Sequence, residues 1–202
     1  WGGLTDSEWS TSDNWYKWDG FKWLKQISTV PDVTSNLYIK SHLTGDVCVS
    51  GSNLSTANNQ TINNLNISSD GIMNVTNNLS VKGDISNSGT ISGGSIILNG
   101  DSDQSIDGSI STVDNLTMDK TSGNVLLNTP WTVNGTLKML GGNIVNGTNL
   151  LTVGSSSSNE GVIEYMEGFI TGALKRFFPN ASSSKFFPIG NGTVIRDFTV
   201  DF

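Results

Sequence analysis

The chain has 202 residues and a formal net charge of -7, from 11 Lys+Arg against 18 Asp+Glu. That length suits one domain or one slice of a repeat array. The acidic balance argues against nucleic acid, whose phosphates are held by clustered Lys and Arg. No window approaches the roughly 18 consecutive apolar residues of a membrane span, so no membrane insertion is expected. Ser, Thr, Asn and Gly supply 94 residues, and charged residues only 14 %, against roughly 25 % in an average soluble domain. Disordered chains combine low hydrophobicity with high net charge. Here Ile, Val, Leu and Thr return in short alternating bursts, and the expectation is a β-rich protein with many turns.

The chain starts at Trp1 without Met or a basic-then-apolar leader, so a removed leader or an excised piece of a longer protein is expected. Residues 1–35 hold five of the six tryptophans, Trp1, Trp9, Trp15, Trp18 and Trp23, with Tyr16 and Phe21. Such rings either plug the open end of a core or stack on the apolar faces of sugars. A plug is expected, because no other apolar group is available at that end. The alternative is a sugar platform built from Trp9, Trp15, Trp18 and Trp23. Cys48, the single cysteine, has no intrachain partner and reads as a small buried hydrophobe between Val47 and Val49. A Cys–His site with His42, the single histidine, has no other residue in its support.

From residue 36 to residue 153 one phrase recurs: Asn, an apolar residue, a polar one, another apolar one. It stands as Asn36-Leu37-Tyr38-Ile39, Asn64-Leu65-Asn66-Ile67, Asn78-Leu79-Ser80-Val81, Asn115-Leu116-Thr117-Met118 and, as a variant, Asn149-Leu150-Leu151-Thr152-Val153. Apolar residues two apart share one face of a strand. Gly, Asn, Ser or Asp follows each burst, so the chain turns almost at once. Asn78 to Asn115 is 37 residues and Asn115 to Asn149 is 34, each read as two units. A unit of roughly 17 to 22 residues is too short for helical repeats and suits a coil of a parallel β-helix.

The predicted architecture is therefore an all-β, right-handed parallel β-helix. It divides into an aromatic N-terminal cap (1–35), coils (36–165) and a closing segment (166–202) rich in Phe, Lys and Arg. Roughly 8 to 11 coils would span about 40 to 55 Å at about 4.8 Å per coil, with Leu65, Leu79 and Leu116 in one inward column. Stacked Asn side chains would hydrogen-bond in ladders at the corners. An antiparallel sandwich is the competing reading, but most neighbouring bursts lack the Asn-Gly hairpin signal.

Asn99 to Gly108 places oxygen donors at alternate positions, with Asp101, Asp103 and Asp107 among them, and so resembles a calcium loop. An EF-hand loop starting at Asp101 would need Gly where Ile106 stands and Glu where Thr112 stands. A tight solvated turn is expected, calcium being the one cofactor considered. Ten Asn-x-Ser/Thr sequons occur, Asn53, Asn66, Asn78, Asn134 and Asn191 among them. A chain this rich in Asn, Ser and Thr produces many by chance.

β-Helical lyases and hydrolases need carboxylates or a basic residue gathered beside the sugar. Between Lys40 and Gly172 the cations are only Lys40, Lys82, Lys120 and Lys138, and Asp70, Asp84, Asp114 and Asp119 fall at turns. Catalysis is not expected, and a polysaccharide-degrading enzyme is the least favoured alternative.

Four motifs in order resemble β-helical segments of large adhesin-like surface and secreted proteins of the Bacteroidota. They are Trp9 through Asn14-Trp15 to Pro31-Asp32-Val33-Thr34; Asn64 to Ile67 with Leu79 to Ile91; Leu98-Asn99-Gly100 with Gln104 to Gly108; and Gly172 to Arg176 with Phe187 to Gly192. The resemblance implies export by the type IX route, an extracellular or cell-surface location and a structural, non-enzymatic role. It also implies contact with other cell-surface proteins or glycans. It supplies no catalytic residues. Asp19 to Leu24 is more aromatic than the family's opening, and Thr199-Val200-Asp201-Phe202 reads as an interrupted strand, so a longer protein is expected.

Overall fold

A computed structural model describes residues 9–10, 15–25, 29–39, 53–56, 58–179, 181 and 183–201, without the side chains of Trp18, Trp23, Lys25, Asn53 and Leu54. Cys48 and His42 lie outside the described residues. All regular structure among the described residues is strand. A short antiparallel hairpin, β1 (Tyr16–Trp18) and β2 (Trp23–Lys25), precedes the coils.

The chain then winds as a parallel solenoid of about six turns. The first face stacks β4 (Asn53–Thr56), β7 (Ile72–Val75), β10 (Thr90–Ser92), β13 (Ser111–Val113) and β15 (Trp131–Val133). The second stacks β5 (Gln60–Ile62), β8 (Asn78–Val81) and β11 (Ser95–Leu98). On the third are β3 (Leu37–Ile39), β6 (Leu65–Ile67), β9 (Ile85–Asn87) and β12 (Gln104–Gly108). Two long strands bend round the corners: β14 (Asn115–Leu127) serves the second and third faces, and β16 (Thr136–Val153) serves all three. The last coil is β17 (Val162–Tyr165) and β18 (Ile170–Arg176), so parallel stacking continues past residue 165. β19 (Ser184–Phe187) and β20 (Phe198–Asp201) form an antiparallel hairpin beyond it.

Alternation explains the core. On the second face Leu79, Ile96, Leu116, Leu137 and Ile163 occupy one inward column, and Ile62, Val81, Leu98, Met118 and Met139 its neighbour. All but Ile163 are buried, and each apolar side chain removed from water contributes on the order of 1.5–3 kcal/mol. Leu65 departs from expectation: it belongs to the third face, stacked between Leu37 and Ile85. The coil count also falls short of 8 to 11. Coils on the second face take 17 residues from Leu79 to Ile96, 20 to Leu116, 21 to Leu137 and 26 to Ile163, and the terminal hairpins add no coils.

Corner ladders follow the expected chemistry. Asn63 and Asn64 each donate to Asn36 Oδ1 at 2.9 Å, Asn64 Oδ1 accepts from the Asp84 amide at 2.6 Å, and Asp84 Oδ1 from Ser105 at 2.7 Å. The line resumes two residues earlier, where Asp103 accepts from the Asn124 amide, Asn124 from Asn143 Nδ2 and Asn143 from the Phe169 amide. Each bond satisfies a corner group that neither strand can reach.

Candidate functional site

Trp9 and Trp15 meet edge to face, 4.9 Å between ring centroids. They are 1 % and 3 % exposed, and the Trp15 indole donates to the Trp9 carbonyl at 2.8 Å. The Trp9 amide donates to Ser55 on β4, which sets this pair at the first coil of the first face. Rings so buried offer no flat face to a sugar. Trp18 and Trp23 are cross-strand partners in the β1–β2 hairpin. Trp131, unnoticed in the sequence, is 1 % exposed and stands in the core between Ser111 and Leu151.

The acidic loop holds a cation of its own. The Lys120 ammonium reaches from the next coil and donates to Gly100 O at 2.8 Å, Ser102 O at 2.7 Å and Gln104 Oε1 at 2.9 Å. An ammonium has three protons, and all three are used. Gln104 is fully buried; its amide nitrogen donates to the carbonyls of Val81 and Gly83, and its oxygen also takes the Gly100 amide. Burial pushes the Lys120 pKa down, opposed by Asp103 and Asp101. Gly100 is required here: a Cβ would stand 1.9 Å from the Lys82 carbonyl.

The three aspartates do not converge. Asp101 accepts from Thr121 Oγ1, Asp103 from the Asn124 amide, and Asp107 from Ser105 and Asn128. Among the described residues no three His, Cys, Asp or Glu side chains are grouped so as to hold a metal ion.

At the other end Arg176 takes the inward position after Val113, Val133 and Val153. Its guanidinium donates to Phe186 O at 2.9 Å and lies 6.0 Å from the Phe187 ring centroid. Lys185 pairs with Glu160, and Tyr165 packs on Phe186 at 5.1 Å. The Ile170 amide donates to Pro188 O, and Gly190 N donates back to Ile170 O. The closing segment thus adds one rung to the third face and lays aromatic rings over the core's end.

The first face carries two regular outward rows. Asn74, Ser92, Thr112, Thr132 and Thr152 form one; Thr112, Thr132 and Thr152 are in direct register, and the Asp114 amide's bond to Gly93 O sets Ser92 beside Thr112. The other row is Ile72, Thr90, Ile110, Pro130 and Leu150, with Ile72 37 %, Ile110 69 % and Leu150 39 % exposed. Neither row has a charged residue before Lys175, which pairs with Thr152.

Among the described residues no helix is long and apolar enough to cross a membrane. No family model, no curated protein and no solved structure matches the chain.

Proposed function

We propose that this chain is a non-enzymatic segment of an extracellular surface or secreted protein, a stiff β-solenoid spacer that presents its first face for contact. The carrying observation is that face: hydroxyl and apolar rows at one strand spacing, about 4.8 Å, without charge through five coils. Repeated weak contacts along such a face add by avidity, and uncharged glycans meet it without desolvating an ion. The likeness of four ordered motifs to Bacteroidota adhesin-like segments supports the reading, with type IX export and a longer parent protein. Thr132→Glu on the first face and Thr117→Glu on the second test it, by cosedimentation with insoluble neutral polysaccharides and with intact cell surfaces. Loss of binding only for Thr132→Glu is expected; equal effects from both, or no binding by the parent protein, would refute face-specific contact.

A second reading, a carbohydrate-binding module, draws on the direct pairing of Trp18 with Trp23. Glycan-induced quenching abolished by Trp18→Ala, with Thr132→Glu inert, would favour it.

A further inference from the structure

We infer that Asn191 is a site of spontaneous backbone modification, selected by the fold from four Asn-Gly pairs. The pairs are Asn99-Gly100, Asn134-Gly135, Asn146-Gly147 and Asn191-Gly192. In such a pair the glycine nitrogen attacks the asparagine Cγ. The C–N bond to Nδ2 breaks, ammonia leaves with the proton lost by the glycine nitrogen, and a five-membered imide closes. Water then opens either carbonyl, giving aspartate or isoaspartate. The balance is amide plus water to acid plus ammonia, and no other reactant is needed.

Three pairs are blocked. The Gly100 nitrogen donates to buried Gln104 Oε1 at 2.9 Å, and the Gly135 nitrogen to Asp114 O at 2.7 Å. Asn146 is 2 % exposed, with its amide nitrogen held by Asn149 O and Ala173 O. Asn191 differs on each count. It is exposed, and Gly192 donates no hydrogen bond among the described residues. Nothing stands within 4 Å of where a Gly192 Cβ would be. Asn191 Oδ1 already accepts from the Thr193 amide at 3.2 Å, the Thr193 hydroxyl at 3.2 Å and the Val194 amide at 2.9 Å. Those donors meet the charge that develops on this oxygen when Cγ is attacked, the arrangement that stabilises tetrahedral intermediates.

The consequence falls on the closing segment. Asn191 sits inside the turn bracketed by the Gly190–Ile195 bridge and the Arg196-to-Ile189 bond. Isoaspartate reroutes the backbone through the side chain and lengthens that turn. The test is peptide mapping with isoaspartate detection on folded protein aged at mildly alkaline pH, beside the same protein in denaturant. Asn191 should convert at least about tenfold faster than the other three when folded, a modest barrier difference, and at a comparable rate when unfolded. Equal rates in the folded protein, or the same ranking in denaturant, would overturn the assignment.

Discussion

Lys120 places its ammonium 2.9 Å from Gln104 Oε1, and each needs the other to remain buried. The pair binds one coil to the next at the acidic loop, whose alternating oxygen donors resemble a calcium loop and whose sequence predicts a tight solvated turn.

Lys120→Met keeps the volume of the stem and removes the donors, leaving Gly100 O, Ser102 O and one bond of Gln104 unmet. A loss of about 1–3 kcal/mol is expected in chemical denaturation. Calcium should leave the wild-type midpoint unchanged, since the loop's carbonyls already hold a cation. A calcium-dependent rise would contradict this account of the loop.

Ile96→Ala opens a cavity between Leu79 and Leu116 and should cost about 2–5 kcal/mol. In a solenoid each coil contacts only its neighbours. Hydrogen exchange should therefore accelerate most in β8 and β14 and least in β18; uniform acceleration would mean the coils unfold as one unit.

Trp15→Ala removes a buried ring and the indole bond to Trp9, and should cost about 3–5 kcal/mol. If Trp15 is a plug, its loss shows in the unfolding midpoint. A selective loss of glycan binding with unchanged stability would argue instead for a platform.

Tyr165 tests the closing end by pH. Burial first, then Asp197 and Glu167, raises its hydroxyl above the ordinary 10.0. The folded state then keeps this proton to higher pH than the unfolded state does. Tyr165's contribution is complete below the unfolded value and is lost as pH rises through the folded one. Midpoints measured from about pH 9 to about pH 12 should fall more steeply for wild type than for Tyr165→Phe. Parallel curves would contradict a phenol whose proton the fold retains.

Fold class was legible because alternation and turn residues are local. Column assignment was not. The Asn-Leu phrase marks a corner without naming which corner: Asn115 opens a second-face strand, whereas Asn149 precedes the first-face residues Leu151 and Val153. Spacing from one to the other therefore measured no whole number of coils. Leu65 was misplaced with Leu79 and Leu116 for the same reason. The sequence names Lys120 and Arg176 but not their roles, because a cation's value lies in carbonyls supplied by other parts of the chain. One local signal for Lys120 existed: it occupies an inward position by strand alternation after Leu116 and Met118.

Stacking itself is tested most directly by spin-label distances measured from Ser80 to Ile97, Thr117, Lys138 and Glu164, the outward positions that follow it in register. Distances should grow in near-equal steps of about 4.8 Å, so that Ser80 to Lys138 lies near 14 Å between backbones, about three such steps. Separations that fail to rise in that order, or a Ser80–Lys138 distance shorter than Ser80–Thr117, would mean the chain does not wind in successive coils.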